Sequence, residues 1–163
     1  MAKRQVFYSF HYQNDVMRVA QIRNIGVIEG NSAASSNDWE EVKRKGDSAI
    51  KKWIDDNMKY RSCVIVLIGK ETANRKYVKY EIEQAWNSGK GVLGIHIHNI
   101  NCPRNGRSLM GKNPFDGFTL DGGKKKLSDV VKCYNPNSYD AYNDIAKNID
   151  SWIEEAIRIR NNV

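Results

Sequence analysis

The chain alternates between short apolar runs of strand length and longer segments whose apolar residues recur at helical spacing. Gln5-Val6-Phe7-Tyr8-Ser9-Phe10 reads as a first strand. It gives way to His11-Tyr12-Gln13-Asn14-Asp15, a polar strand-to-helix loop. Asp15 can cap the following helix, to which Val16, Val19, Ala20 and Ile22 give an apolar face. Gly26-Val27-Ile28 is a candidate for a short second strand, and the Gly-, Asn- and Ser-rich stretch from Glu29 to Asp38 reads as a surface loop. Asn37 or Asp38 can cap a further helical region with Glu40 and Glu41 in its first turn. Ala49, Ile50, Trp53, Ile54 and Met58 repeat there at helical spacing, and Gly46 is placed to divide the region in two.

Cys63-Val64-Ile65-Val66-Leu67-Ile68 is apolar enough to be a central parallel strand, covered on both faces. Gly69 to Asn74 leads into a helix carrying Tyr77, Glu81, Ile82, Ala85 and Trp86, with Gly89 placed to stop it. Gly91 to His98 reads as another strand. Asn99 to Asn137 holds all three prolines and is the least regular part, with one short edge strand expected near Val130-Val131. A long helix is expected from about Tyr139 to Arg160, striped by Tyr142, Ile145, Ala146, Ile149, Trp152, Ile153, Ala156 and Ile157. Strand and helix in alternation predict an α/β fold: a mostly parallel sheet of about four or five strands with helices on both faces, of the flavodoxin-like kind. With 163 residues and no internal repeat, a single domain over 1–163 is expected.

Composition narrows the classes of function. Hydrophobic content of 40% and charged content of 28% describe a soluble globular protein. No apolar run approaches a membrane span, and Met1-Ala2-Lys3-Arg4 enters a strand without the apolar middle of a signal peptide. A cytoplasmic location is expected, in keeping with three cysteines that form no Cys-x-x-Cys pair. The net charge of +7 favours anionic partners such as nucleotides, phosphorylated metabolites or nucleic acid. Lys124-Lys125-Lys126 follows Gly122-Gly123 and reads as a solvated loop, with no aromatic stacking pattern around it to suggest nucleic acid. Gly-x-Gly-x-x-Gly after the first strand, a phosphate loop and a Gly-x-Ser-x-Gly elbow are all absent. The first loop has Asp15 alone where a receiver domain needs an acidic cluster. His96 and His98 alternate on one strand and share a face, yet no third ligand is evident, so no metal is expected.

The candidate chemistry lies in Arg75-Lys76-Tyr77-Val78-Lys79-Tyr80-Glu81-Ile82. Tyr77 and Glu81 are four apart and stack on one helical face. Their helix follows the central strand, and open α/β sheets bind ligands beyond the carboxyl ends of their strands.

Val6-Phe7-Tyr8-Ser9-Phe10-His11-Tyr12 resembles the opening strand and loop of Toll/interleukin-1 receptor (TIR) domains, and more closely the TIR-like proteins of the bacterial Thoeris anti-phage system. Val66-Leu67-Ile68-Gly69, Asn74 to Ile82, Gly94-Ile95-His96-Ile97 and Asn113-Pro114-Phe115-Asp116 extend the resemblance in the family's order. The resemblance implies a flavodoxin-like TIR fold and cleavage of the nicotinamide–ribose bond of NAD, which is substrate and not cofactor. It implies a cyclic ADP-ribose isomer as product and a separate NAD-depleting effector reached through that diffusible nucleotide. Glu81 matches the family's catalytic glutamate; Tyr77 stands where tryptophan is commoner in its Trp-x-x-x-Glu pattern. By the same resemblance Phe10 can stack on a ring, His11 or Ser9 can contact phosphate or ribose, and Asn74 and Tyr77 can line the opposite wall. Homo-oligomerisation on activation is a further expectation, and a non-enzymatic TIR assembly module is the alternative function.

Overall fold

The first strand, β1 (Gln5–Ser9), alternates its side chains between two apolar layers. Val6 and Tyr8 enter one layer and Phe7 the other, as the two-residue period of a strand dictates. The computed structural model describes residues 4–25, 29–30, 42, 44–103 and 106–163. Helix α1 spans Tyr12–Arg23 and β2 is the short Glu29–Gly30. Helix α2 covers Asp47–Met58, β3 Cys63–Ile68, α3 Lys76–Asn87 and β4 Gly91–His96. A small antiparallel hairpin, Thr119–Leu120 with Lys125–Lys126, precedes β5 (Cys133–Tyr134) and the long α4 (Ala141–Asn161).

Five strands form one sheet in the order β2-β1-β3-β4-β5, and every neighbouring pair is parallel. This is the doubly wound order whose direction reverses between β1 and β3. The register sets Ser9 beside Val66 and Ile68 beside His96. β3 is buried along its whole length, as its unbroken apolar run predicts. One layer packs Val19 and Ile22 of α1 and Ile145, Ile149, Ile153 and Ala156 of α4 against Ile65, Leu67, Leu93 and Ile95. The other packs Ile50, Ile54 and Met58 of α2 and Val78, Ile82 and Ala85 of α3 against Val64, Val66, Ile68 and Val92. Helices therefore cover both faces, as expected.

Several expectations are corrected. The edge strand pairs through Cys133 and Tyr134, not Val130-Val131; the latter pair follows a single 3-10 turn (Leu127–Asp129), and Val131 packs in the core. Glu29, expected in a loop, pairs with Gln5, while Gly26-Val27-Ile28, Asn37, Asp38, Glu40 and Glu41 lie outside the described residues. Asp15 does not cap α1. It lies inside the helix, 2% exposed, in a buried ion pair with Arg18 at 3.1 Å. β4 ends at His96, so His98 belongs to the turn beyond it. Tyr142 departs from the apolar stripe of α4 and is exposed. Gly46 and Gly89 do punctuate the chain, both at positive φ, at the start of α2 and beyond α3.

Candidate active site at the carboxyl edge of the sheet

Helix α3 buries Val78, Glu81, Ile82 and Ala85, a spacing of three, four and seven residues from the first. Glu81 thus occupies a position that helical periodicity reserves for an apolar side chain. It is 7% exposed, and burial drives its carboxyl up to about 8, a rise that the hydrogen bond from Ser9 opposes. A carboxylate in such a place is costly unless partnered. Its partner is Ser9, the last residue of β1, wholly buried, whose Oγ donates to Glu81 Oε1 at 3.2 Å. Ser9 reaches α3 because it shares a strand face with Phe7, which lies in the α2–α3 layer.

The turn between β3 and α3 lies at the same edge of the sheet. Gly69 N donates to the buried Thr72 hydroxyl at 2.8 Å, and Thr72–Asn74 makes one turn of 3-10 helix before Arg75 enters α3 in extended conformation. Asn74 stands exposed on that turn. His11, the last residue before α1 in a two-residue link where a loop to Asp15 is expected, is buried. Burial first, and the nearby Arg75 charge second, hold its imidazole below the ordinary value, against an opposing pull from Glu71. Phe10 packs half-buried against the α1–α4 layer, so much of its ring serves the core.

Tyr77 is on the Glu81 side of α3, and its hydroxyl turns to the neighbouring helix. It donates to Asp47 Oδ1 at 2.8 Å, at the start of α2. Lys76 meets the same carboxylate at 2.8 Å and Lys51 at 3.4 Å, and bonds from Lys76 and Tyr77 hold Asp47 down to about 2. Of the six expected site residues, Ser9 and Glu81 are bonded to each other. His11 and Phe10 stand at the same strand end, Asn74 on the facing turn, and Tyr77 spends its polar atom on α2.

Two neighbours went unread in the sequence. Arg18 joins α1 to the segment beyond β4, donating to Ile100 O at 3.0 Å and Gly106 O at 2.8 Å as well as to Asp15. Gly111 presses on Gly69: a Cβ added to Gly111 would lie 2.0 Å from the Gly69 carbonyl oxygen. An Arg three residues after an Asp was the available signal for the first; nothing local marks the second. His96 and His98 stand edge to face, 5.9 Å between ring centres, and burial lowers both. Among the described residues no group of three or more metal-binding side chains gathers around them.

The model of the family described as Thoeris protein ThsB, TIR-like domain, matches residues 7–101. The chain belongs to this family. The ThsB match contains Ser9, Phe10, His11, Asn74, Tyr77 and Glu81, and so the whole candidate site. A protein of Bacillus cereus (strain MSX-D12) named "Putative cyclic ADP-D-ribose synthase ThsB1" is 35% identical over 153 residues, which cover 90% of this chain and 78% of that protein. That longer likeness carries the ThsB relationship past the family match and into the segment that holds Gly111, β5 and α4.

Proposed function

We propose that the protein cleaves NAD at the nicotinamide–ribose bond and closes the ADP-ribose part into a cyclic signal. The supporting observation is Glu81: a buried carboxyl, held by Ser9, at the strand-order reversal of a ThsB-family fold. The name of the Bacillus cereus relative, a cyclic ADP-D-ribose synthase, supports the choice of product.

The chemistry needs little more than this residue. Nicotinamide departs neutral from a cationic glycoside, so no strong general acid is required. The ribose carbon passes through an oxocarbenium-like state that a nearby carboxylate stabilises. Burial raises the Glu81 carboxyl to about 8, which favours its protonated form near neutrality. A cationic pyridinium brought alongside favours the carboxylate, so substrate arrival itself draws the proton off to solvent. In this reading Glu81 is the catalytic residue, His11 contacts phosphate or ribose, Asn74 lines the opposite wall and the accessible part of Phe10 stacks on a ring. Closure of the ring rather than hydrolysis asks for a site that excludes water once filled. The product is a diffusible nucleotide suited to a separate effector, and assembly into homo-oligomers is the proposed route of activation.

Wild type and Glu81→Gln, each produced in bacteria and challenged with phage, test this by mass spectrometry of small-molecule extracts. A cyclic ADP-ribose mass that appears with wild type alone is the expected result. Identical profiles from two folded proteins would overturn the enzyme reading in favour of a non-enzymatic TIR assembly module.

A further inference from the structure

We infer that Ser9 is a positioning residue for Glu81 and not a ligand of the substrate: its hydroxyl fixes the carboxyl in one rotamer and supports the ionised form. The inference rests on the proposed NAD cleavage for its meaning, but on geometry for its content. Ser9 ends β1 and is wholly buried, and its Oγ makes one hydrogen bond among the described residues, to Glu81 Oε1 at 3.2 Å. Glu81 in turn has no other hydrogen-bond partner among the described residues. A hydroxyl has a single proton to give, and this one is given to the carboxyl. The contact also ties β1 to the helix that follows β3, joining two segments 72 residues apart at the strand-order reversal.

The consequence follows from hydrogen-bond energetics. A hydroxyl that donates to a carboxylate favours the charged form, and the protonated form gains less from the same donor. Burial and Ser9 therefore pull Glu81 in opposite directions, and the serine keeps the carboxylate within reach of physiological pH. Without it, burial acts unopposed and the carboxyl holds its proton to higher pH. A ligand role would behave otherwise, since loss of a substrate contact weakens binding and leaves the proton affinity of Glu81 untouched.

The test is a titration of the full chain labelled with 13C at glutamate side-chain carboxyls. The Glu81 signal is assigned by its absence in Glu81→Gln. Ser9→Ala is expected to raise the Glu81 midpoint by about one pH unit, the scale of one hydrogen bond to a charged group. Ser9→Thr, which keeps the hydroxyl, is expected to return it most of the way. With NAD as substrate, the acid limb of nicotinamide release should move by the same amount, with kcat reduced more than KM. An unchanged midpoint in folded Ser9→Ala would overturn the inference. So would a raised KM with an unmoved pH profile. Failure of wild type to release nicotinamide would sink the NAD proposal alone, because the carboxyl titration reads the Ser9–Glu81 pair without turnover.

Discussion

The carboxylate of Asp15 occupies the space in which a side chain on Gly69 would begin: an added Cβ would meet Asp15 Oδ2 at 2.1 Å. Two segments from opposite sides of the strand-order reversal thus touch through the one residue type without a Cβ. Gly111 repeats the device on the Gly69 carbonyl, at 2.0 Å. Both Gly69→Ala and Gly111→Ala are expected to destabilise, by about 1–3 kcal/mol as overpacked sites do. Gly111→Ala should be the worse, because the obstacle is backbone and not a side chain. Denaturant melts of the two variants check the order.

Asp15 and Arg18 form an ion pair in which both side chains are almost wholly buried, at 2% and 4% exposure. Removing one charge strands the other, so Arg18→Met is expected to cost about 3–5 kcal/mol. Asp15→Asn, which leaves a hydrogen-bonding oxygen for Arg18, should cost less. Comparison of unfolding midpoints for the two variants reads this directly.

Glu81 should oppose stability as pH rises. Its folded value, about 8, lies above the model value of 4.5, so the unfolded chain releases this proton first. Between those values the native state binds more protons and its stability falls with increasing pH, the contribution being intact below about 4.5. Glu81→Gln is therefore expected to be more stable than wild type at pH 8, on the order of 4 kcal/mol, with the gap closing toward pH 4. Thermal melts across that range check the sign. A site residue whose removal stabilises the fold is what a cost accepted for chemistry looks like.

Tyr77 gives its hydroxyl to Asp47, on the surface between α2 and α3. Tyr77→Phe should leave nicotinamide release within about threefold of wild type, the scale of one exposed polar contact. A loss comparable to that of Glu81→Gln would return the Tyr77 hydroxyl to the substrate.

Much of the fold was legible because its signals are local. The unbroken apolar run of β3, the four-residue spacing in α2 and the stripe of α4 each follow from burial on one or two faces. The failures have a common cause. β5 is two residues long and exists because β4 offers Gly94 and Ile95 as partners, which no pattern within 130–134 reveals. From its own neighbours Asp15 reads as a cap, but the distant Ile100 and Gly106 carbonyls help hold Arg18, and Arg18 holds Asp15 inside the helix. The site divides the same way. Glu81 was readable from its helix and Ser9 from its strand end, while the bond between them, across 72 residues, was not.

The seating of α4 has a consequence for the life of the molecule. Its backbone lies so close to the start of β4 that a Cβ on Gly91 would meet Ile157 N at 2.8 Å, and Ile145, Ile149 and Ile153 close the layer begun by Val6, Tyr8 and Ile65. Every group of the candidate site is translated before residue 141. None of them has a finished scaffold until this helix leaves the ribosome and docks. A chain synthesised only as far as residue 140 therefore carries Glu81 against a sheet whose other face still lacks the cover of Ile145, Ile149 and Ile153.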